Sequence, residues 1–191
     1  MCPGIMSENV RELCLNCPFQ TAVCNEMEEK WAYELMQHPE DRENWLIWRE
    51  GAFVNFMAGK TLPYYGILDG MIICEATAVL YPEAAQHGEK LIDDHTAYLC
   101  AFRTNDGFRG KGWFSRLFRF MLYDLRQRGY RKVTVGVEPE DLTNKAIYAH
   151  YGFNEYIMTD TELYPDGTAV SVEYYAKTLL ENRGTHLEQD G

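Results

Sequence analysis

The stretch that decides the fold is a glycine-rich loop, Asn105-Asp106-Gly107-Phe108-Arg109-Gly110-Lys111-Gly112. It follows a predicted strand at residues 95–103 and precedes a predicted helix at residues 113–128, where apolar residues recur at three- and four-residue intervals. The start of a helix presents unpaired backbone N–H groups and the positive end of the helix dipole. Glycines let a phosphate approach that backbone, and Arg109 and Lys111 add positive charge. The loop therefore predicts a diphosphate-binding site.

Two common nucleotide-binding motifs do not match this loop. A P-loop requires Gly-x-x-x-x-Gly-Lys-Ser/Thr, and the dinucleotide fingerprint is Gly-x-Gly-x-x-Gly. Here the glycines fall at Gly107, Gly110 and Gly112, in the reverse order of that fingerprint. The alternative is a purely structural turn between a strand and a helix, which the two basic side chains of the loop disfavour.

The elements around the loop predict one α/β (α+β) domain that covers residues 1–191. Helices are expected within residues 7–38 and at 41–58, and no first strand can be assigned in this part of the chain. Strands are expected at 62–68, 71–80, 95–103, 132–137, 153–159 and 168–175, with a short helix at 142–151. The β-α-β unit at 95–137 predicts neighbouring parallel strands, and the flanking hairpins predict antiparallel ones. A mixed, mostly antiparallel sheet with helices on both faces follows.

Composition restricts the partners of the chain. Its 191 residues are 46% hydrophobic and carry a net charge of −11, which favours a packed core and disfavours nucleic-acid binding. Of 18 Lys and Arg residues, nine lie between residues 103 and 132, where Asp106 and Asp124 are the only acidic residues. The remaining 27 carboxylates and nine basic residues suit a cationic acceptor. We find no membrane-spanning run and no signal-peptide pattern, and we expect a cytoplasmic protein.

The residues around the loop resemble the GNAT family of acetyltransferases. The loop resembles the family's acetyl-CoA loop, Gln/Arg-x-x-Gly-x-Gly/Ala, through Arg109 and Gly112, whereas Phe114 departs from the last Gly/Ala position. Residues 146–153 are similar to the family's Ala-x-x-Leu-Tyr-x-x-x-Gly-Phe ending, with Tyr148 four residues before Gly152. The resemblance covers a GNAT-like core at residues 62–178. A helical N-terminal part at 1–60 precedes this core, and a polar tail at 181–191, expected to be flexible, follows it.

The resemblance implies acetyl-CoA as acyl donor, lying along a strand that splays from its parallel neighbour. Counting back from Gly152 puts the place of the family asparagine near Asp141, whereas the nearest asparagine in the chain is Asn144, to which we assign the role. The implied acetyl-CoA-binding residues are Phe102, Arg103, Thr104, Arg109, Gly110, Lys111, Gly112, Trp113, Phe114, Ser115 and Asn144. Tyr148 is the expected proton donor to the leaving thiolate; a tyrosine of the core or its rim is the alternative.

A base is also needed, because a lysine-like amine has a pKa of about 10.4 and arrives protonated at neutral pH. Glu75 is the first candidate, since it is a carboxylate in the middle of an apolar strand; it either faces solvent or has a raised pKa in a cleft. Asp94 and His95, at the start of the next strand, are alternatives. The insert at residues 81–94 and the helical N-terminus are expected to wall the acceptor pocket.

The cysteines suggest a different function. Cys14 and Cys17, with Cys2 and Cys24 nearby, are compatible with a zinc site, but one Cys-x-x-Cys without a second pair is a weak pattern. We assign no metal, and Cys100 is expected to be structural.

We therefore predict an enzyme, an N-acetyltransferase acting on a small-molecule or peptide amine by direct transfer in a ternary complex. A noncatalytic acyl-CoA binder or sensor with the same fold is the alternative, and a zinc-stabilised interaction module is the third hypothesis. The oligomeric state, a homodimer included, stays open.

Overall fold

The computed structural model describes residues 19–21, 24–69 and 71–179, with side chains from Met27 onward. The strands are β1 (Phe19–Thr21), β2 (Thr61–Leu68), β3 (Met71–Val79), β4 (Thr96–Thr104), β5 (Lys132–Val137), β6 (Glu155–Leu163) and β7 (Ala169–Thr178). The α-helices are α1 (Cys24–Gln37), α2 (Arg42–Met57), α3 (Gly88–Leu91), α4 (Trp113–Gln127) and α5 (Leu142–His150). No helix in these residues is long and apolar enough to cross a membrane.

All seven strands form one mixed sheet in the order β1-β2-β3-β4-β5-β7-β6. Its one parallel pair is β4 with β5, and the other neighbours are antiparallel. The predicted fold class is thus confirmed, with the parallel pair joined by α4 as the β-α-β pattern requires. Sequence analysis did not predict β1, a three-residue strand that pairs with β2 at the edge of the sheet.

Helices cover both faces of the sheet. On the first face, α4 buries Leu117, Phe118, Met121 and Leu125 against β2–β5. On the second face, α1 and α2 pack Met27, Trp31 and Trp45 around Tyr65 of β2. Because side chains alternate along a strand, Tyr64 enters the first core and Tyr65 the second.

The carboxyl end of β4 separates from β5. Parallel pairing runs from Thr96 with Lys132 to Leu99 with Val135 and then ends, although β4 continues to Thr104. At the same point β4 bulges against β3: between the pairs Thr77–Cys100 and Glu75–Arg103, β4 carries one residue more than β3. Ala101 adopts a φ of 54° there, in the left-handed region. Such a bulge bends its strand and redirects the following side chains, which here opens a gap beside β5.

The insert between β3 and β4 packs against β6. Gln86 bonds to the backbone of Leu163, the His87 ring contacts the Thr161 carbonyl, and Lys90 pairs with Asp160. The insert therefore lies over the β6–β7 side of the sheet.

Candidate active site

A first cavity of about 700 Å³ lies in the gap beside β4. Its walls come from the end of β4, the glycine-rich loop with the start of α4, and α5. Ten of the eleven residues that the resemblance implies for acetyl-CoA line it, and Lys111 does not. Phe108, Thr143, Ile147 and Tyr148 complete the lining. Strand, loop and helix therefore bring the sequence-predicted residues to one groove.

The loop enters α4 through two glycines with positive φ, Gly110 at 72° and Gly112 at 80°. Gly112 is the residue directly before α4, and the space where a β-carbon would stand is open. Arg109 Nε donates to the Thr104 carbonyl at 3.0 Å and its guanidinium pairs with Asp106. Lys111 Nζ donates to the Gly107 carbonyl at 2.8 Å. These bonds brace the loop, so that the first N–H groups of α4 border the groove together with the charge of Arg109.

Phe114, which departs from the family pattern, lies in the groove wall. Its ring contacts Phe102 with centroids 5.6 Å apart and Tyr151 with centroids 6.1 Å apart. Tyr151 packs on Phe118, as an inward position requires, and its hydroxyl donates to Ser115 Oγ at 2.6 Å. That bond fixes the position of Ser115 Oγ, and the Ser115 hydroxyl can still donate its own proton to a further acceptor.

Tyr148 lines the same groove from α5 and is 7% exposed. Its ring lies 5.7 Å from Phe102 and 6.1 Å from Phe153, between centroids. Burial raises the pKa of its hydroxyl, and the Asp141 carboxylate and Cys100 add to that shift. The hydroxyl is thus protonated at neutral pH, as a proton donor must be.

A second cavity of about 600 Å³ lies between α1 and the β3–β4 pair. Its polar lining includes Lys30 and Glu34 of α1 and Glu75 of β3, and its apolar wall includes Tyr33 and Ile72. It shares four residues with the first cavity: Arg103, Thr104, Phe108 and Arg109. The two cavities therefore meet at the end of β4.

Four charged side chains form an ion-pair network in the second cavity. Lys30 Nζ lies 3.1 Å from Glu75 Oε2, and Arg103 Nε lies 3.6 Å from Glu75 Oε1. Arg103 Nη1 also pairs with Glu34 Oε2. The side chains of Lys30, Glu34 and Glu75 are each at most 6% exposed, whereas that of Arg103 is 29% exposed. Two cations thus balance two carboxylates in a largely buried setting, which buried charges require.

Glu75 has the features of a base at this point. It faces the second cavity because its strand neighbours Cys74 and Ala76 belong to the core on the other face. Its Oε1 is buried and has no hydrogen-bond partner among the described residues. Burial raises the pKa of the Glu75 carboxyl, while Lys30 and Arg103 oppose that rise. The raised pKa makes this carboxylate a better proton acceptor than an exposed glutamate.

Cys100 interacts electrostatically with a residue of each cavity, Glu75 and Tyr148. Enclosure by protein raises the pKa of its thiol to about 12, with Glu162 and Glu75 adding to the rise. The same thiol contributes to the raised pKa of Tyr148. Cys100 therefore lies within electrostatic range of both Glu75 and Tyr148, and a thiol held protonated suits the structural role expected for it.

The structure removes the alternative bases. Asp94 and His95 are exposed just before β4 begins, while the cavities lie at its other end. Nine residues of strand separate the two ends, which is roughly 25–30 Å at about 3.3 Å per residue. The insert at residues 81–94, expected to wall the acceptor pocket, lines neither cavity.

Of the two N-terminal helices, α1 lines the second cavity and α2 does not. Sequence analysis did not predict the two charged residues that α1 places there, Lys30 and Glu34. Their i, i+4 spacing on a helix predicts only a surface pair. The zinc hypothesis concerns Cys2, Cys14 and Cys17, which lie outside the described residues, and Cys24, whose side chain is not described. The tail at 181–191 also lies outside the described residues. Within the described residues, no group of His, Cys, Asp and Glu side chains is placed to hold a metal.

Comparison with known proteins agrees with this geometry. A family model described as the acetyltransferase (GNAT) family matches residues 9–153. No curated protein matches the sequence. A probable acetyltransferase from Staphylococcus epidermidis is similar in structure, with a TM-score of 0.64 and 10% identity over 84% of this chain and 97% of that chain.

Two further solved structures share the fold. The ribosomal-protein-S18-alanine N-acetyltransferase of Escherichia coli has a TM-score of 0.61 and 16% identity, over 87% of this chain and 96% of that chain. The yncA protein of Salmonella typhimurium, solved with its cofactor acetyl-CoA, has a TM-score of 0.59 and 14% identity, over 87% and 95%.

Proposed function

The chain belongs to the acetyltransferase (GNAT) family, and we propose that it is an N-acetyltransferase that moves an acetyl group from acetyl-CoA directly to an amine acceptor. The observation that carries this proposal is the meeting of two cavities at Arg103 and Thr104. One cavity holds a buried tyrosine and the other a buried carboxylate. A donor in the first and an acceptor in the second can react without a covalent enzyme intermediate.

The first cavity suits an acyl-CoA. The unpaired end of β4 offers backbone N–H and C=O groups to the amide-bearing arm of the ligand, as an open strand edge does. The start of α4, Gly110, Gly112 and Arg109 suit the diphosphate. The bound acetyl-CoA supplies the acetyl group as a thioester.

The second cavity suits the amine. Glu75 Oε1, which is buried and makes no hydrogen bond to the described residues, is available to take a proton from the acceptor ammonium, directly or through a water. Tyr148, at the first cavity, donates a proton to the departing thiolate. The acceptor nitrogen loses two protons on going from ammonium to amide: Glu75 takes the first before attack, and the second leaves as the C–N bond forms and the C–S bond breaks. This second proton replaces, directly or through a water, the proton that Tyr148 gives to the thiolate. Glu75 then releases its proton to solvent, so that both groups return to their starting states.

Acetyl-CoA is expected to bind the protein with micromolar affinity in a calorimetric titration. Gly112→Trp should abolish this binding, because the indole enters the groove beside the first N–H groups of α4 and the backbone strains at a φ of 80°. Gly129→Trp is the matched control. Gly129 follows the other end of α4 with a φ of 97° and an equally open surrounding, far from the groove. Loss of binding in both variants would trace the effect to strain, and no binding to the parent protein would overturn the donor assignment.

Tyr148→Phe is expected to lower kcat by about 10²-fold, the lower end of what general-acid catalysis contributes. The ring packing on Phe102 and Phe153 is kept, so acetyl-CoA affinity should not change. The measurement is release of free CoA thiol against a panel of a tripeptide with a free N-terminus, lysine and spermidine. Tyr130→Phe, a half-buried tyrosine after the far end of α4, is the control.

A noncatalytic acyl-CoA binder predicts a different result. It would bind acetyl-CoA in the titration and release no CoA thiol with any acceptor of the panel, and Tyr148→Phe would then change nothing.

A further inference from the structure

We propose, resting on the function proposed above, that Lys30 of α1 is a positioning residue that holds the Glu75 carboxylate ionised and oriented for proton transfer. Lys30 itself touches neither the acyl donor nor the reacting atoms in this role. Helix α1 would then complete the catalytic site of the β3–β4 pair.

The contact between the two side chains supports this role. Lys30 Nζ lies 3.1 Å from Glu75 Oε2, within hydrogen-bonding reach, and so engages one carboxylate oxygen. Among the described residues, Glu75 Oε1 makes no hydrogen bond and meets only the longer ion-pair contact with Arg103 Nε at 3.6 Å. The ammonium also lies 3.5 Å from the centroid of the Trp31 ring, which fixes it from a second side. One oxygen of Glu75 is thereby tied to α1, and the other remains available to the acceptor.

Among the residues that the structure describes, no other group near Glu75 can replace Lys30. Arg103 reaches Glu75 Oε1 only at 3.6 Å, and it is engaged by Glu34 and stacked on Trp45. Glu34, the other carboxylate of the network, favours a protonated Glu75, and the Cys100 thiol, held protonated, supplies no charge. Without Lys30, the ion-pair network would contain one cation, Arg103, and two carboxylates, and Glu75 would take up a proton at a higher pH.

The test is the pH dependence of kcat/KM in Lys30→Met. Activity requires ionised Glu75, so it falls as the pH drops through the pKa of that carboxyl. Loss of an opposite charge within 4 Å raises such a pKa by about 1–3 units. The fall in kcat/KM on the acidic side of the pH profile is therefore expected to occur in the variant at a pH higher by about that amount. We call this side of the profile the acidic limb. Lys30→Arg, which keeps the charge, should return the limb toward the parent position.

Two controls separate this effect from a general loss of charge or of structure. Lys60→Met removes an ammonium from an exposed pair with Glu83 and should leave the limb unmoved. If Lys30→Met does not fold, as judged by thermal unfolding and acetyl-CoA binding, Lys30→Gln removes the charge but keeps a donor for Glu75.

A second readout does not require activity. In protein labelled with carbon-13 at the glutamate carboxyls, the Glu75 resonance, assigned by its loss in Glu75→Gln, should titrate at higher pH in Lys30→Met. An unmoved midpoint and an unmoved limb would overturn the role of Lys30. An inactive parent protein would overturn the proposed function instead, and the resonance would still report whether Lys30 controls the ionisation of Glu75.

Discussion

Glu75→Gln is expected to lower kcat by about 10²- to 10⁴-fold, the range that a positioned general base contributes. Glutamine has nearly the shape of glutamate but cannot accept the proton of an ammonium at neutral pH. The first cavity is not lined by Glu75, so acetyl-CoA affinity should stay within a factor of two or so. The measurement combines steady-state release of CoA thiol with calorimetric titration of acetyl-CoA.

The pH profile should change in a defined direction as well. The parent enzyme loses activity as the pH falls through the raised pKa of Glu75. In Glu75→Gln this limb disappears, and the residual rate follows the fraction of deprotonated amine, which rises up to a pKa of about 10.4. Glu83→Gln, at an exposed ion pair with Lys60, is the control and should keep the parent profile. A loss of less than about threefold in Glu75→Gln would exclude Glu75 as the base.

Lys30→Met is expected to reduce the free energy of unfolding by about 3–5 kcal/mol, as the breaking of a buried ion pair generally does. The substitution leaves the Glu75 carboxylate in a setting where its side chain is 5% exposed. Adding Glu75→Gln should recover most of this loss, because no unpaired charge then remains between the two positions. Urea unfolding of the parent, the two single variants and the double variant at pH 7.5 gives the coupling free energy.

The loss in Lys30→Met should depend on pH. Burial raises the pKa of Glu75 in the folded protein above its value in the unfolded chain. The folded state therefore binds the proton more tightly, and stability falls as the pH rises from the ordinary carboxyl pKa through the raised one. Lys30→Met raises the pKa of Glu75 in the folded protein further. The difference in free energy of unfolding between the parent and Lys30→Met should therefore become smaller toward pH 5.

The same double-mutant cycle, made with Lys60→Met and Glu83→Gln, provides the comparison. Both residues are exposed enough for solvent to screen the pair, so their coupling should be far smaller than that of Lys30 and Glu75. Equal coupling at the two pairs would contradict the account of the buried network.

Local patterns, with the family resemblance, were enough to predict most of the fold and the residues that line the first cavity. The 3.6-residue period of α4 and the alternation of β5 are properties of consecutive residues, so the β-α-β unit could be predicted without tertiary information. Residues 102–115 lie on one strand, one loop and one helix start, and chain connectivity alone brings them to one groove. Gly112 was assigned through the resemblance to the family's acetyl-CoA loop, and its φ of 80° accounts for glycine at that position.

The residues of the second cavity could be identified as a group only from the tertiary structure. Lys30 and Glu34 are distant in sequence from Glu75 and Arg103, and their burial depends on how α1 packs on the sheet. Strand β1 has three residues, too few for a periodic pattern, and exists through pairing with β2. The position of the insert likewise depends on contacts with β6. Sequence patterns report which residues share a face of one element, whereas partners across elements are chosen by packing, which no local pattern encodes.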